Sequence, residues 1–351
     1  FRYSKKCSKC DGIYGLTYMA SENKTNQSSE LRQDIVSGEW VTIATARAKR
    51  PHDFLLQKRQ QFDESQECPF EHLLPNNLLT LNKKEEGEWW VQVVKNKYPA
   101  FAEGICKVIY PEGPYIKMDG AGSHEVVVTR DHTRSFGSFT AEESTLLIQA
   151  YVSRMKELSL GECVDYISVF HNHGPESGAT VAHPHSQIIS LPVVPPDIER
   201  SVRGSYEYFD KNKRCVHCDI IYFESKQKSR IVYENKHCIV FCPFASKTAF
   251  EMRVFPKEHS PEFHSMDLEL VAATGDAIQK SLAKLGKGLQ DPAYNFFVHT
   301  APIIEYADHS HYHWHIEILP KTAIWAGFEI GTGIEISTIA PEAAAEFLKE
   351  Q

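Results

Sequence analysis

The segment HPHSQIISLP at residues 183–192 is repeated in outline as HYHWHIEILP at residues 311–320. Both segments open with histidines at alternate positions, run through apolar residues and end in Leu-Pro, and they lie 128 residues apart. A strand-like apolar run that begins at Tyr166 has its counterpart at Tyr294 with the same spacing. This similarity predicts an internal duplication.

The repeat extends upstream of these segments. Arg130-Asp131-His132 has its counterpart in Lys257-Glu258-His259 at a spacing of 127, and each triplet directly follows an apolar run. Residues 140–158 and 267–285 come next, and both show apolar residues at helical intervals behind an N-cap residue. In the first, Thr140 and Glu143 have the spacing of a capping box. Several ordered features at a nearly constant spacing favour duplication over chance.

A Pro-rich stretch at residues 192–196 separates the repeats and predicts a domain boundary. We expect a tail at residues 1–30, followed by two halves at residues 31–195 and 196–351. Each half is predicted to contain two strands, a helix and two further strands. The expected fold class is therefore α+β, with mainly antiparallel sheets and packed helices.

Composition limits the classes of function. The chain has 351 residues, 42% hydrophobic and 24% charged, so it can bury a core and is not expected to be disordered. No uncharged apolar run reaches about 18 residues, which argues against a membrane span. The net charge of −8 makes nucleic acid a poor candidate partner. Nine cysteines, without a signal-peptide pattern, predict reduced thiols or metal ligands in the cytoplasm.

His183, His185 and Gln187 occupy alternate positions of a predicted strand, so their side chains share one face. Three polar groups on one face of an apolar strand indicate a functional site, and a partly exposed edge strand is the alternative. Residues 172–180, just upstream, include two glycines and small side chains that let backbone N–H groups approach an anion. Many such loops are simple turns, but this one directly precedes the histidine strand.

Cys215 and Cys218 form a C-x2-C pair, which predicts a zinc site in a reducing compartment. His259 and a histidine of residues 311–315 would complete a tetrahedral set. The pattern does not choose among those histidines, and we select His313. Two free thiols in a turn are the alternative.

A second metal site is expected in the first half, with one departure from the usual ligands. Its candidate ligands are Cys68, Glu71, His132 and His183. Glu71 stands where a second thiolate would be expected, and a carboxylate can bind zinc. Loss of this metal is the alternative.

The remaining cysteines and a basic cluster are less informative. Cys7 and Cys10 form another C-x2-C pair but have no evident partners. The other four cysteines are expected to be core or surface thiols: Cys106, Cys163, Cys238 and Cys242. Arg47 and Arg50 follow an apolar strand and form either an anion site or a solvated face.

Together these motifs resemble the galactose-1-phosphate uridylyltransferase family of the histidine-triad superfamily, from about Leu31 to Lys349. The His-Pro-His-x-Gln element at residues 183–187 is the specific part of the resemblance. The supporting motifs are Arg47 to Pro51, Asn96 to Ala100, His311 to His315, and Gly327-Phe328-Glu329 with Gly331-Thr332-Gly333. The resemblance implies two tandem histidine-triad-like domains, the second with a structural metal site. It also implies one or two zinc ions per chain and a homodimer with sites completed across subunits.

The resemblance assigns roles to single residues. His185 would attack the α-phosphorus of a nucleoside diphosphate sugar, and Gln187 would donate its amide to a phosphoryl oxygen. His183 would bind metal or orient His185. Hydrolases of the superfamily carry His at the position of Gln187, so transfer rather than hydrolysis is expected. The nucleotide, phosphate and sugar contacts are expected from Arg47, Arg50, Asn96, Asn172, Thr180, Phe328 and Glu329.

The reaction expected from the resemblance is ping-pong uridylyl transfer from UDP-glucose to galactose 1-phosphate. The alternative is a phosphorylase that transfers an adenylyl group from ADP-glucose or a dinucleoside polyphosphate to phosphate. It is kept because residues 327–333 and the Cys215 pair are similar to the subgroup that includes plant ADP-glucose phosphorylase. Two further hypotheses are chemistry at His313 and a non-catalytic zinc- or nucleotide-binding protein.

Overall fold

The computed structural model describes residues 29–44, 68–70, 77–83, 88–304 and 307–351. Arg47, Arg50 and Glu71 lie outside the described residues, as do Cys7 and Cys10. The roles expected of Arg47, Arg50 and Glu71 therefore stay predictions.

A sheet of ten antiparallel strands lies at the centre of the molecule. A smaller three-stranded sheet contains β1, β2 and β15, and β5 and β6 form a hairpin. The strands of the described residues, in chain order, are β1 (Glu30–Gln33), β2 (Trp40–Ile43), β3 (Leu79–Asn82), β4 (Trp89–Lys95), β5 (Tyr110–Glu112), β6 (Tyr115–Lys117), β7 (Ser123–Thr129), β8 (Tyr166–His173), β9 (His185–Leu191), β10 (Ile231–Glu234), β11 (Cys238–Phe241), β12 (Met252–Pro256), β13 (Tyr294–His299), β14 (His315–Pro320) and β15 (Glu335–Ser337).

The order of the ten strands shows the duplication. The first half contributes β3-β4-β7-β9-β8, and the second contributes β10-β11-β12-β14-β13 in the same relative order. The halves join where β8 pairs with β13, so they share one continuous sheet. The expected α+β class with mainly antiparallel sheet is confirmed. In each half three strands of this sheet precede the long helix, whereas two were predicted, and the boundary near residue 195 stays a prediction.

Strand register corrects the alignment of the two histidine clusters. Val126 pairs with Gln187 in the first half, and Arg253, which lies 127 positions after Val126, pairs with Glu317 in the second. Gln187 therefore corresponds to Glu317, and His185 to His315. The predicted spacing of 128, which matched His185 with His313, is wrong by two residues. A slip of two residues leaves every side chain on its own face, so the alternation in the sequence cannot detect it.

Two long helices cover one face of the large sheet. α1 begins at the predicted capping box, in which Thr140 and Glu143 exchange side-chain and backbone hydrogen bonds. A Cβ atom on Gly275 would lie 2.9 Å from the backbone of Ser144, so α1 and α4 cross in close contact. No helix of the described residues is long and apolar enough to cross a membrane. These helices are α1 (Ala141–Leu158), α2 (Pro196–Asn212), α3 (Val216–Gln227), α4 (Leu268–Leu289), α5 (Gly327–Thr332) and α6 (Pro341–Lys349).

Two of the remaining cysteines are bonded to each other. Cys106 and Cys163 form a disulfide with their Cα atoms 5.4 Å apart, so the expectation of free thiols is wrong for this pair. The bond connects the segment after β4 with the turn between α1 and β8, and a separation of 57 residues carries no pairing signal in one sequence. Cys238 and Cys242 are buried free thiols, as predicted.

Glu143 is a buried carboxylate with several donors around it. It accepts hydrogen bonds from the Arg134 guanidinium at 2.8 and 3.0 Å and from the Thr140 N–H at 2.8 Å, and the Lys83 ammonium lies at 2.9 Å. Burial raises the pKa of Glu143, but these donors outweigh it and hold the pKa at about 2. The charged form of Glu143 therefore stabilises the start of α1.

We expect Glu143→Gln to lower the free energy of unfolding by about 1–3 kcal/mol at pH 7. A depressed pKa gives stabilisation that is complete above the ordinary value of 4.5 and is lost as the pH falls toward about 2. The stability difference should therefore shrink between pH 5 and pH 3 in urea unfolding. Glu346→Gln, at an exposed site on α6, is the control. A difference that stays constant over this range would contradict the account.

Candidate active site and metal centres

His185 and Gln187 lie at the start of β9, on the sheet face that α1 does not cover. The residue between them, Ser186, is buried on the opposite face and hydrogen-bonds to the Tyr151 hydroxyl of α1 at 2.5 Å. His185 and Gln187 are only partly buried. The predicted alternation is confirmed for His185 and Gln187, whereas His183 precedes the strand. It places a ring nitrogen and an amide side by side on an accessible surface.

The hydrogen bonds of His185 determine which nitrogen can react. Nδ1 lies 2.8 Å from the carbonyl oxygen of His183, which can only accept, so Nδ1 carries the proton. The lone pair is therefore on Nε2. Burial lowers the pKa of His185, although the hydrogen bond to His183 opposes this. A neutral imidazole with a fixed tautomer is suited to nucleophilic attack without a separate base.

Gln187 is held by a histidine that the sequence did not single out. His124 Nε2 lies 2.7 Å from Gln187 Oε1, and Asn96 Nδ2 lies 3.1 Å from the same ring nitrogen. Asn96, expected to contact the nucleotide, is thus brought next to the His185 strand. The available signal for His124 was a polar residue near the start of the Val-rich strand at residues 123–129.

Asn172 and Thr180 lie in the chain just before β9, the strand that carries His185 and Gln187. Asn172 lies near the end of β8, one residue past the His171–Ser186 pair, and its Oδ1 accepts a hydrogen bond from Asn295 at 2.7 Å. Thr180 is exposed in the loop between β8 and β9. The loop turns at Gly174 and Gly178, whose positive φ angles favour glycine. Its predicted anion-binding role stays a prediction.

Phe328 and Glu329 lie on α5, in the second half. Phe328 is half exposed, and the carboxylate of Glu329 accepts the N–H of Ala326 at the start of the helix. Within the described part of the chain, neither residue forms a hydrogen bond or ring contact with His185. The structure therefore does not bring them to the site of this chain.

The thiol pair of the second half forms a metal-binding arrangement with two imidazoles. The ligand atoms of Cys215, Cys218, His259 and His313 all lie within 4.8 Å of one another. His259 Nδ1 and His313 Nδ1 lie 3.4 and 3.5 Å from the Cys218 sulfur. Of the three histidines, His313 is the one whose ring nitrogen joins this group, as selected from the sequence.

The outer nitrogens of these two rings are bound to backbone. His259 Nε2 lies 2.7 Å from the carbonyl oxygen of Ser310, and His313 Nε2 lies 3.1 Å from that of Pro256. Each carbonyl can only accept, so both Nδ1 lone pairs point at the thiols. Hydrogen bonds from Cys218 and from the imidazoles lower the pKa of Cys215. Two sulfurs and two oriented nitrogens fit a tetrahedral metal ion.

The first half has a matching but incomplete group within the described residues. Cys68, His132 and His183 bring their ligand atoms within 4.8 Å of one another. His183 Nε2 lies 2.6 Å from the Thr129 carbonyl oxygen, so its Nδ1 lone pair faces His132 Nδ1 at 3.1 Å and the Cys68 sulfur at 3.4 Å. Convergence of these atoms fits a metal ion, and Glu71, the fourth predicted ligand, lies outside the described residues.

A third cluster, not predicted from the sequence, lies in the second half. His299, His315 and Glu317 lie close enough to share an ion, but the Arg253 guanidinium is already 3.0 Å from Glu317. Although burial raises the pKa of Glu317, Arg253 and the neighbouring imidazoles hold it well below its usual range. The Glu317 carboxylate is already paired with the Arg253 cation, so the cluster does not fit a metal ion. The sequence signal was a carboxylate two residues after His315 on the same strand.

The third cluster also distinguishes the two halves chemically. His315 Nδ1 lies 3.3 Å from the His313 carbonyl oxygen, the same relation that His185 has with His183. Where the first half has the amide of Gln187, the second has the carboxylate of Glu317, which would repel a phosphoryl group. His313, proposed as an alternative nucleophile, lies among the thiols instead.

Comparison with known proteins identifies the same family that the sequence motifs resemble. Residues 19–195 match the family model described as galactose-1-phosphate uridyl transferase, N-terminal domain, and residues 115–350 match one described as a domain of unknown function (DUF4921). An ADP-glucose phosphorylase from Arabidopsis thaliana is 33% identical over 334 residues, 93% of this chain and 93% of that protein. The chain belongs to the galactose-1-phosphate uridylyltransferase family.

Other members of the galactose-1-phosphate uridylyltransferase family differ in their named activity. A galactose-1-phosphate uridylyltransferase from Thermotoga maritima is 29% identical over 331 residues, covering 92% of this chain and 98% of that protein. The crystal structure of an ADP-glucose phosphorylase from Arabidopsis thaliana with bound ADP-glucose superimposes with a TM-score of 0.77 at 31% identity, covering 92% of this chain and 99% of that one. The chain is therefore a nucleotidyltransferase of this family.

Proposed function

We propose that this protein transfers a nucleotidyl group from a nucleoside diphosphate sugar through a covalent intermediate on His185. The observation that carries the proposal is the free Nε2 lone pair, which the hydrogen bond from Nδ1 to the His183 carbonyl fixes. Nε2 forms a bond to the α-phosphorus, and the bond from that phosphorus to the bridging oxygen breaks. The sugar leaves as its 1-phosphate.

The second half-reaction returns the enzyme to its starting state. A phosphate oxygen of the acceptor forms a bond to the same phosphorus, and the P–N bond to His185 breaks. The electron pair returns to Nε2, so the ring again ends neutral with its proton on Nδ1. The amide of Gln187 stabilises the charge on the phosphoryl oxygens in both steps and has no acidic proton to give.

We propose ADP-glucose as the donor and inorganic phosphate as the acceptor. The support is the 33% identity over 93% of this chain to an ADP-glucose phosphorylase and the similarity to a structure with bound ADP-glucose. The second candidate is uridylyl transfer from UDP-glucose to galactose 1-phosphate. It is supported by the family model over residues 19–195 and by the Thermotoga maritima relative.

Initial rates with both donors and both acceptors distinguish these candidates. We expect kcat/KM with ADP-glucose and phosphate to exceed that of the three other pairs by at least about tenfold, a modest discrimination for an enzyme. A higher value with UDP-glucose and galactose 1-phosphate would make the second candidate correct. No turnover with any pair, in folded protein loaded with metal, would refute both.

We propose zinc as the metal of both thiol–imidazole clusters. The support is the donor set of sulfur and Nδ1 atoms and the backbone carbonyls that orient the rings. Zinc bound there would act as a fixed cross-link between strands and loops. In the first half, the backbone carbonyl of His183, a residue of that cluster, also accepts the Nδ1 proton of His185.

We propose that the protein is a homodimer, in which α5 of one subunit completes the site of the other. The support is a group of large apolar side chains that this chain leaves exposed around α5, namely Ile324, Trp325, Phe328 and Ile330. Sedimentation equilibrium should give a mass of two chains. A monomer with full activity would contradict this proposal.

A further inference from the structure

His124 lies between the side-chain amide of Gln187 and the segment that follows β4. It is the second residue of β7 and is almost fully buried. It shares a sheet face with Gln187, because Val126, two positions along the same strand, pairs directly with Gln187. Its hydrogen bonds, more than its position, indicate a role in transfer.

The proton of the His124 ring can be located from its partners. Nδ1 lies 3.1 Å from the backbone N–H of Ala100, which can only donate, so Nδ1 accepts. The single proton of the neutral imidazole is therefore on Nε2. This N–H lies 2.7 Å from Gln187 Oε1, an acceptor.

Asn96 does not compete for this proton. Its Oδ1 accepts the backbone N–H of Tyr98 at 2.9 Å, which fixes the orientation of the side-chain amide. The Asn96 atom nearest to His124 Nε2 is therefore Nδ2, which is a donor and cannot accept. Among the residues that the structure describes, the acceptor for the His124 proton is Gln187 Oε1.

We propose that His124 is a positioning residue, which holds the Gln187 amide with its oxygen turned inward and its NH₂ group turned toward the phosphoryl group on His185. The inference rests on the proposed function. With the amide reversed, an oxygen lone pair would face the phosphoryl oxygens and the stabilising donor would be lost. The backbone N–H of Tyr98 orients Asn96, and the backbone N–H of Ala100 orients His124. Together these two side chains would set the orientation of the Gln187 amide.

The test compares three substitutions that keep or remove single contacts. His124→Gln can still donate to Gln187, whereas His124→Asn can accept from Ala100 but is too short to reach Gln187. His124→Phe keeps the ring shape and removes both contacts. The readout is the rate at which ADP-glucose, or UDP-glucose if that is the better donor, forms the covalent adduct in the absence of acceptor.

We expect His124→Phe and His124→Asn to slow adduct formation by about 10- to 100-fold with little change in KM, because a transition-state donor is misaligned. His124→Gln should restore most of the rate. In a Gln187→Ala background, His124→Phe should cause no further loss, since the two residues act as one unit. His237→Phe, at a surface turn between β10 and β11, is the control and should match the wild type.

Three outcomes would overturn the proposal: wild-type adduct formation by His124→Asn, equal losses in His124→Gln and His124→Asn, or an undiminished further loss in the Gln187→Ala background. The Gln and Asn pair decides the matter even if the Phe variant does not fold. Failure of the proposed function is separate, because the wild type would then form no adduct.

Discussion

Replacing His185 by alanine should lower kcat/KM for nucleotidyl transfer by at least about 10⁴-fold, the loss typical of removing a catalytic nucleophile. The physical reason is that Nε2 of His185 would form the bond to phosphorus in the first half-reaction and release the nucleotidyl group in the second. Folding should be unaffected, because the ring is only partly buried and, among the described residues, its hydrogen bond is to the backbone two positions earlier. Circular dichroism and metal content should therefore match the wild type.

The control for this substitution is His315→Ala. His315 occupies the equivalent position of the second half and has the same hydrogen bond to the residue two positions earlier. Because Glu317 replaces the amide there, we expect folded His315→Ala to retain transfer activity. Activity that is lost in folded His315→Ala but kept in His185→Ala would place the chemistry in the second half and contradict the account.

Replacing Cys218 by serine should remove one metal ion per chain and lower the melting temperature by roughly 10 °C. Cys218 is central to the cluster, since its sulfur lies within 3.5 Å of both imidazole nitrogens. Metal binding contributes directly to folding where it connects separate segments. Here it would connect the start of α3, the turn after β12 and the segment before β14. The large sheet remains, so partial destabilisation is expected rather than complete unfolding.

Metal analysis and calorimetry test this prediction together. Cys242→Ala, a buried thiol outside the cluster, is the control and should keep the full metal content. Chelation of the wild type should reproduce the lower melting temperature. Unchanged metal content in Cys218→Ser would show that the cluster does not bind the metal, and a loss of metal without a change in melting temperature would refute its structural role.

Features that depend on strand periodicity or short spacing were predictable from the sequence. The alternation placed the side chains of His185 and Gln187 correctly, whereas His183 lies before the strand begins. The pair of Cys215 and Cys218 indicated a metal site. These signals are local, because the period of a strand or one turn of a helix determines which atoms meet. The capping box at the start of α1 was predictable for the same reason.

Features that depend on contacts distant in sequence were not predictable. The disulfide of Cys106 joins two segments that only the fold brings together, and His124 reaches Gln187 across a strand pairing. The register of β14 was missed because a slip of two residues preserves the pattern of faces. His299 and Glu317 were missed as a pair because β13 and β14 must pair before their side chains meet.

We predict that His185 forms a covalent bond to a nucleotidyl group. Intact-mass spectrometry can detect this bond directly. The metal-loaded protein would be incubated without acceptor, with ADP-glucose in one sample and UDP-glucose in another. We predict a mass increase equal to one adenylyl group, located on His185 by fragmentation and removed by added phosphate. An adduct on another residue, or no adduct from either donor in folded protein, would contradict the claim.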